Sequence, residues 1–241
     1  INDYYDNPNV APDVNDVSPE QEQHDIRVAS DMCELEELYE NKLESIFKCN
    51  IKTEAKPIEK YEYKCTDVKK SSVKIAKPKV LIPVFPGTNC EYDSAKAFTK
   101  AGADAEIFVI NNLSASSFTE SVKNFAEKVA QSQIIFVPGG FSGGDEPDGS
   151  GKFITAFFRN AEIKEAVTDL LDNRDGLMGG ICNGFQALIK LGLVPYGKII
   201  DTDENCPTLT FNTISRHQSK IVETRIASNN SPWLCETNVG D

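Results

Sequence analysis

Gly180-Ile181-Cys182-Asn183-Gly184 sets a cysteine midway between two glycines, where the apolar run 176–181 ends and a helical pattern begins. Glycine-x-nucleophile-x-glycine is the spacing of a nucleophile elbow, here with cysteine in place of serine. The requirement is steric. A strand that turns directly into a helix strains its central residue, and the positions two residues away must lack side chains for the turn to close. A thiol held there stands at a helix N-terminus, where partial positive charge and free amides favour an anion. The chemistry that fits is nucleophilic catalysis. The plainer alternative is a small buried cysteine in a glycine-rich turn.

A second glycine-rich stretch, "PGGFSGGDEPDGSGK" (138–152), follows another apolar run. It fails as a phosphate loop residue by residue. A Walker pattern ending at Gly151-Lys152 needs glycine where Glu146 stands and serine or threonine where Phe153 stands, and no G-x-G-x-x-G is present. The reading that fits the elbow is an oxyanion loop, with the amides of Gly140 or Phe141 and of Asn183 facing the charge that develops at Cys182. By itself such a stretch is a surface turn.

A cysteine nucleophile needs a base, and the chain has two histidines. His24 lies in an acidic leader and precedes Asp25-Ile26; His217 precedes Gln218-Ser219 and reads as an exposed turn residue. No His-x-Glu sequence occurs. The seven cysteines are widely spaced, with no C-x-x-C pair, which excludes a zinc ribbon or a disulfide framework. Free thiols in a reducing, cytoplasmic compartment are expected, with no metal site.

The elements that must position these residues follow from periodicity. Residues 1–28 are acidic, with Arg27 the single Lys or Arg, and read as extended. Leu35, Leu38, Leu43 and Ile46 predict a helix over 30–47, capped by Ser30 or Asp31. Residues 48–78 read as a linker with a strand around 60–64. From Lys79 strands and helices alternate. Strands are expected at 79–85, 105–110, 133–138 and 176–181. Helices are expected after Cys90 (Tyr92, Ala95 and Phe98 on one face, ending at Gly102), from a capping box at Ser117–Glu120, around Ile163–Leu170, and after the elbow (Phe185, Leu188, Ile189 and Gly192 on one face). Apolar strands between amphipathic helices predict an α/β fold: an open, doubly wound, mostly parallel sheet with helices on both faces, preceded by an irregular or helical segment. Functional groups in such folds gather beyond the carboxyl ends of the strands, where both glycine-rich segments fall. Past Pro195 the stretches "TLTFNTIS" and "KIVETRIA" alternate like two strands of a ribbon. Two parts are expected, 1–78 and 79–241.

Bulk properties narrow the function further. A net charge of −12 over 241 residues argues against nucleic acid or an anionic membrane as partner. No apolar run is long enough to span a bilayer, and the N-terminus lacks the basic and apolar regions of a secretory signal. A chain beginning at Ile1 without Met reads as a piece of something longer.

Taken together, "FPGTNCEYDSAKAFTKAGA" (85–103), "VPGGFSGGDEPDGSGKF" (137–153), "GGICNGFQALIKLGLVP" (179–195) and "ISRHQSKIVETRIASNNSPWL" (214–234) resemble the class I glutamine amidotransferases. Within that class they are most similar to the amidotransferase portion of an ATP-dependent synthetase of purine biosynthesis, and "LEELYENKLESIF" (35–47) is similar to the end of the synthetase portion. The resemblance implies that Cys182 is the nucleophile and forms a thioester with L-glutamine. It also implies that Gly140, Phe141 and Asn183 border the oxyanion hole and that Gln186 lines the substrate pocket. It implies no cofactor in this stretch, with ATP and magnesium held by the synthetase portion, the partner that receives the ammonia. The histidine and acid of the class, spaced His-x-Glu, are missing, so weak or no activity is expected of these residues alone. Two other readings compete. A DJ-1/PfpI-like cysteine hydrolase would carry an acid in the strand before the cysteine, where Met178, Gly179, Gly180 and Ile181 offer none. A non-catalytic docking domain would leave Cys182 no more reactive than Cys90 or Cys206.

Overall fold

Valine, leucine, isoleucine and phenylalanine dominate several short runs, and such runs call for cover on both sides. In the computed structural model, which describes residues 18–43, 45–46, 60–67, 70–142, 151–209, 212 and 221–241, these runs become the central strands. The chain divides into two units, Ile1–Pro57 and Ile58–Asp241. The first contains one described helix, α1 (Pro19–Asn41). It starts well before the expected Ser30, takes in residues that composition read as extended, and leaves Leu43 and Ile46 beyond its end. Proline suits the first helical turn, and no glycine or further proline interrupts 20–41. Met32, Leu35 and Leu38 on this helix are exposed.

The second unit carries β1 (Lys79–Val84), β2 (Thr88–Asn89), α2 (Glu91–Lys100), β3 (Asp104–Val109), α3 (Ala115–Val129), β4 (Ile134–Val137) and β5 (Gly139–Gly140). After these come α4 (Lys152–Phe158), α5 (Ala161–Thr168), a π-helical turn (Asp169–Asn173), β6 (Leu177–Gly180), α6 (Asn183–Leu191), α7 (Leu193–Tyr196) and a 3-10 turn (Pro232–Leu234). The main sheet has the order β3-β1-β4-β6 and all its pairings are parallel. Alternation along the strands sends Leu81, Ile135 and Val137 to one face, where α3, α4, α5 and α6 pack. Val80, Ile82, Ile134 and Phe136 point to the other, against Ala95 and Phe98 of α2. The expected doubly wound α/β sheet is therefore present.

Several boundaries differ from expectation. α3 is capped by Ser114, whose side chain accepts from the Ser117 N–H while the Ser117 hydroxyl accepts from the Ser114 N–H. The helix thus starts ahead of the predicted Ser117–Glu120 box, because serine at the third helical position reciprocates as well as glutamate does. Tyr92 is exposed, so only Ala95 and Phe98 of the predicted α2 face pack, half-buried, against the sheet. Residues 221–227 form no strand, and the rest of that predicted ribbon (210–211, 213–220, with His217) lies outside the described residues, as do 1–17 and 143–150. The strand expected around 60–64 is reduced to one bridge, Tyr63 with Ser228. Arg225 meets Glu62 at 2.7 Å beside it.

Arg174 anchors the approach to β6. Its guanidinium donates to the carbonyls of Val129, Ala130 and Ser132 at 2.8–3.1 Å, capping the C-terminus of α3, and to Asp169 at 2.8 Å. Hydrogen bonds from Asn173 and Arg174 hold the Asp169 carboxyl below its usual range. Among the aromatic residues, Phe125 is fully buried and meets Phe108, Phe157 and Phe158 edge-on at 5.2–5.8 Å. Phe125→Ala is expected to lower the unfolding free energy by about 3–5 kcal/mol, measured by denaturant titration.

Candidate active site

Val137 at the end of β4 is the register partner of Gly180 at the end of β6. Adjacent parallel strands that end together release their following segments side by side, so 138–142 and 181–184 emerge next to one another. The Ile181 N–H extends the ladder by donating to Val137 O at 3.2 Å. The chain then turns at Cys182, with φ 49° and ψ −111°, and α6 begins at the next residue. A positive φ with this ψ is strained for a residue bearing a side chain.

Both elbow glycines are enforced by contact. A Cβ on Gly184 would lie 2.1 Å from Val137 O and 2.8 Å from Pro138 O, and one on Gly180 would lie 2.9 Å from the Gly184 carbonyl carbon. Close approach of α6 to β4 also sets the helix rotation. Gly184, Ala187, Leu188 and Leu191 face inward, and Phe185 is turned out. Of the predicted face, Leu188 and Gly192 are buried and Ile189 is half-buried, while Phe185 is the exception: small residues, not the largest apolar one, must meet the sheet.

The glycine-rich loop sits against the cysteine. A Cβ on Gly139 would lie 3.3 Å from Cys182 Cβ and 3.9 Å from its Sγ. Asn183, fully buried, ties loop to elbow: its Oδ1 accepts from the Ser142 N–H at 3.2 Å and the Ser142 hydroxyl at 2.7 Å. The Asn183 amide nitrogen donates in turn to Gln186 Oε1 at 3.3 Å. Ser142, itself fully buried, was not singled out in the sequence. Its signal was its place in the glycine run, where a serine has a hydroxyl to hold.

The loop amides divide by direction. β5 pairs antiparallel with β2, Thr88 opposite Gly140, and the Phe141 N–H donates to Gly87 O at 2.8 Å. Phe141 is therefore engaged in the ladder, contrary to the oxyanion role expected of its amide. Hydrogen-bonded and non-hydrogen-bonded pairs alternate in an antiparallel ladder, so the Gly140 N–H faces away from β2. Gly140 has φ 120°, and a Cβ there would meet Gly87 O at 2.3 Å, which admits only glycine. The Asn183 backbone N–H belongs to the first turn of α6.

Cys182 is exposed, and the six described cysteines are all free. No group of three or more potential metal ligands occurs among the described residues. No described helix is long and apolar enough to cross a membrane. A cavity of about 630 Å³ lies elsewhere, lined by residues that include Lys152, Arg159 and Lys190. It is bridged by Arg159, which donates to Lys190 O and Thr202 Oγ1. Cys182 is not on its wall, and it reads as a crevice between α4, α6 and the following loop. Of the two histidines, His24 is in α1.

Residues 77–240 match the CobB/CobQ-like glutamine amidotransferase domain. The chain belongs to that family. Curated relatives include the phosphoribosylformylglycinamidine synthase subunit PurQ of Methanococcus maripaludis strain C5, 36% identical over 150 residues, or 61% of this chain and 50% of the relative. The subunit of the same name from Dehalococcoides mccartyi is 36% identical over 146 residues, 61% of this chain and 51% of the relative. That of Treponema denticola is 33% identical over 165 residues, 65% and 57%. The chain spans about half the length of these curated relatives. The solved structure of PurLQS from Thermotoga maritima is similar over 48% of this chain and 45% of that one, at 27% identity and a TM-score of 0.34.

Two glycine substitutions, one in the turn at Cys182 and one distant control, test how tight that turn is. Gly184→Ala introduces a backbone clash at a position without positive φ and is expected to cost about 1–3 kcal/mol or more. Gly102→Ala, at φ 95° with open space around it, is expected to cost only the left-handed strain of about 1–2 kcal/mol. Thiol labelling of Cys182 should change in the first variant alone. Equal labelling in both would show that the elbow is not tight.

Proposed function

We propose that this chain is the glutamine-hydrolysing portion of a phosphoribosylformylglycinamidine synthase. In this reading the Cys182 thiolate attacks the side-chain amide carbon of L-glutamine. The tetrahedral oxyanion is received by the Gly140 and Asn183 amides, and collapse releases ammonia and leaves a glutamyl thioester that water hydrolyses. Phe141 holds β5 in its ladder instead of donating to the oxyanion. Gln186 lines the glutamine site from the first turns of α6, oriented by its bond from Asn183. Ammonia passes to the synthetase portion, where ATP and magnesium are bound and formylglycinamide ribonucleotide becomes formylglycinamidine ribonucleotide, with ADP, phosphate and glutamate as the other products. Residues 1–78 are read as the tail of that synthetase portion and a linker, and 79–241 as the amidotransferase part. The enzyme is thus a ligase with glutamine as amido donor.

The observation that carries this reading is the backbone of Cys182, strained between two glycines that no larger residue could replace. The relatives named as PurQ subunits support the choice of synthetase. A diazo-ketone analogue of glutamine tests it on the 241-residue protein. Cys182 is expected to be alkylated well before Cys90 or Cys206, with excess glutamine protecting it. Equal alkylation of the three would favour a docking domain without catalysis.

No His-x-Glu pair stands in these residues to take the thiol proton and orient the base. General-base catalysis contributes about 10²–10⁴-fold, so the chain alone should release ammonia from glutamine slower by that factor than an amidotransferase with its base. Undiminished turnover in a coupled glutamate assay would show that another residue serves as base.

A further inference from the structure

A second thiol stands at the elbow. Cys90 follows β2 and precedes α2 with φ 61° and ψ 20°, a left-handed conformation that turns the chain back toward the sheet. Its carbonyl accepts from the Ser94 N–H at 2.9 Å and the Ser94 hydroxyl at 2.7 Å, fixing it at the head of the helix. Its Sγ accepts the Gly139 N–H at 3.4 Å. The point where Gly139 would carry a Cβ lies 3.4 Å from Cys90 Sγ and 3.9 Å from Cys182 Sγ. The two sulfurs are therefore no farther apart than those two distances laid end to end, and Gly139 supplies no side chain to stand between them. Other thiols are engaged locally: Cys65 donates to Asp67 O at 2.8 Å, and Cys206 lies within 3.5 Å of the Asp203 amide.

We propose that Cys90 and Cys182 form an oxidation site, in which a hydroperoxide converts the nucleophile to a reversible disulfide with Cys90. The Cys182 thiolate attacks one peroxide oxygen; the S–O bond forms, the O–O bond breaks, and the departing oxygen leaves as water after taking a proton. Sulfur is oxidised by two electrons and the peroxide reduced by two. The Cys90 thiolate then attacks the Cys182 sulfur. The S–S bond forms, the S–O bond breaks, and hydroxide leaves and is protonated to a second water. Two thiols and one hydrogen peroxide thus give one disulfide and two waters. The disulfide removes the nucleophile from glutamine and keeps it from irreversible oxidation. Cys182 is exposed and Cys90 half-buried, so a small oxidant reaches the first and the second resolves it.

The inference rests on the glutamine-site reading for the reactivity of Cys182. The reduced 241-residue protein is exposed to hydrogen peroxide, quenched with iodoacetamide, digested without reductant and mapped by mass spectrometry. The expected product is the Cys90 peptide joined to the Cys182 peptide, two hydrogens lighter than their sum and separated by dithiothreitol. In Cys90→Ser the link is lost and Cys182 proceeds to sulfinic acid. Cys182 reaching sulfinic acid in the unaltered protein while Cys90 stays alkylatable, or Cys182 joined instead to Cys65, Cys206 or Cys235, overturns the proposal. Diazo-ketone labelling of Cys182 with no link to Cys90 overturns this inference alone. The link without diazo-ketone labelling supports the thiol pair and removes the glutamine reading.

Discussion

Cys182 occupies a backbone conformation that costs a side-chain-bearing residue on the order of 1–3 kcal/mol, and it persists because its surroundings leave no alternative. β6 delivers the chain in register with the end of β4, and α6 must begin at once because Gly184 is already pressed against Val137 O. Between those two fixed points one residue makes the whole turn. Any relaxation would have to lift α6 off the sheet, which would expose Ala187, Leu188 and Leu191, all buried in the main core. Exposing that face to water would cost about 1.5–3 kcal/mol for each of Leu188 and Leu191, together more than the local strain.

The same logic ties in the loop after β4. Three unrelated contacts converge there: the β2–β5 ladder through Phe141 and Gly87, the Asn183 bridge to Ser142, and the Cys90 sulfur on the Gly139 amide. Two come from the segment 87–90 and one from the start of α6. Gly139 and Gly140, which would otherwise sample many conformations, are thereby held against Cys182. The buried Asn183 is worth most here as a clamp, since removing its Oδ1 would leave two buried Ser142 donors without their acceptor.

Much of this was legible in the sequence wherever one kind of pattern dominated. The all-apolar runs named the four parallel strands, and the spacing of Gly180, Cys182 and Gly184 named the turn. The reading slipped where small residues or partners distant in sequence decided the outcome. Apolar periodicity chose Phe185 for the inner face of α6, but close backbone approach selected Gly184 and Ala187. The amide of Phe141 looked available until Gly87, far earlier in the chain, was seen to take it. Cys90 carried no local signal beyond its place after "PGTN", because its role depends on a gap at Gly139. α1 extended upstream of its predicted start because an acidic, apolar-poor segment can still be helical when nothing interrupts it.

Beneath the elbow strand lies a large indole. Trp233 meets Phe98 edge-on at 6.4 Å, donates from Nε1 to Met178 O at 3.3 Å, and crowds the space a side chain on Gly179 would need. It is the single tryptophan of the 241 residues. Its emission therefore originates next to the strand that leads to Cys182, and gives that strand a built-in optical reporter needing no attached dye.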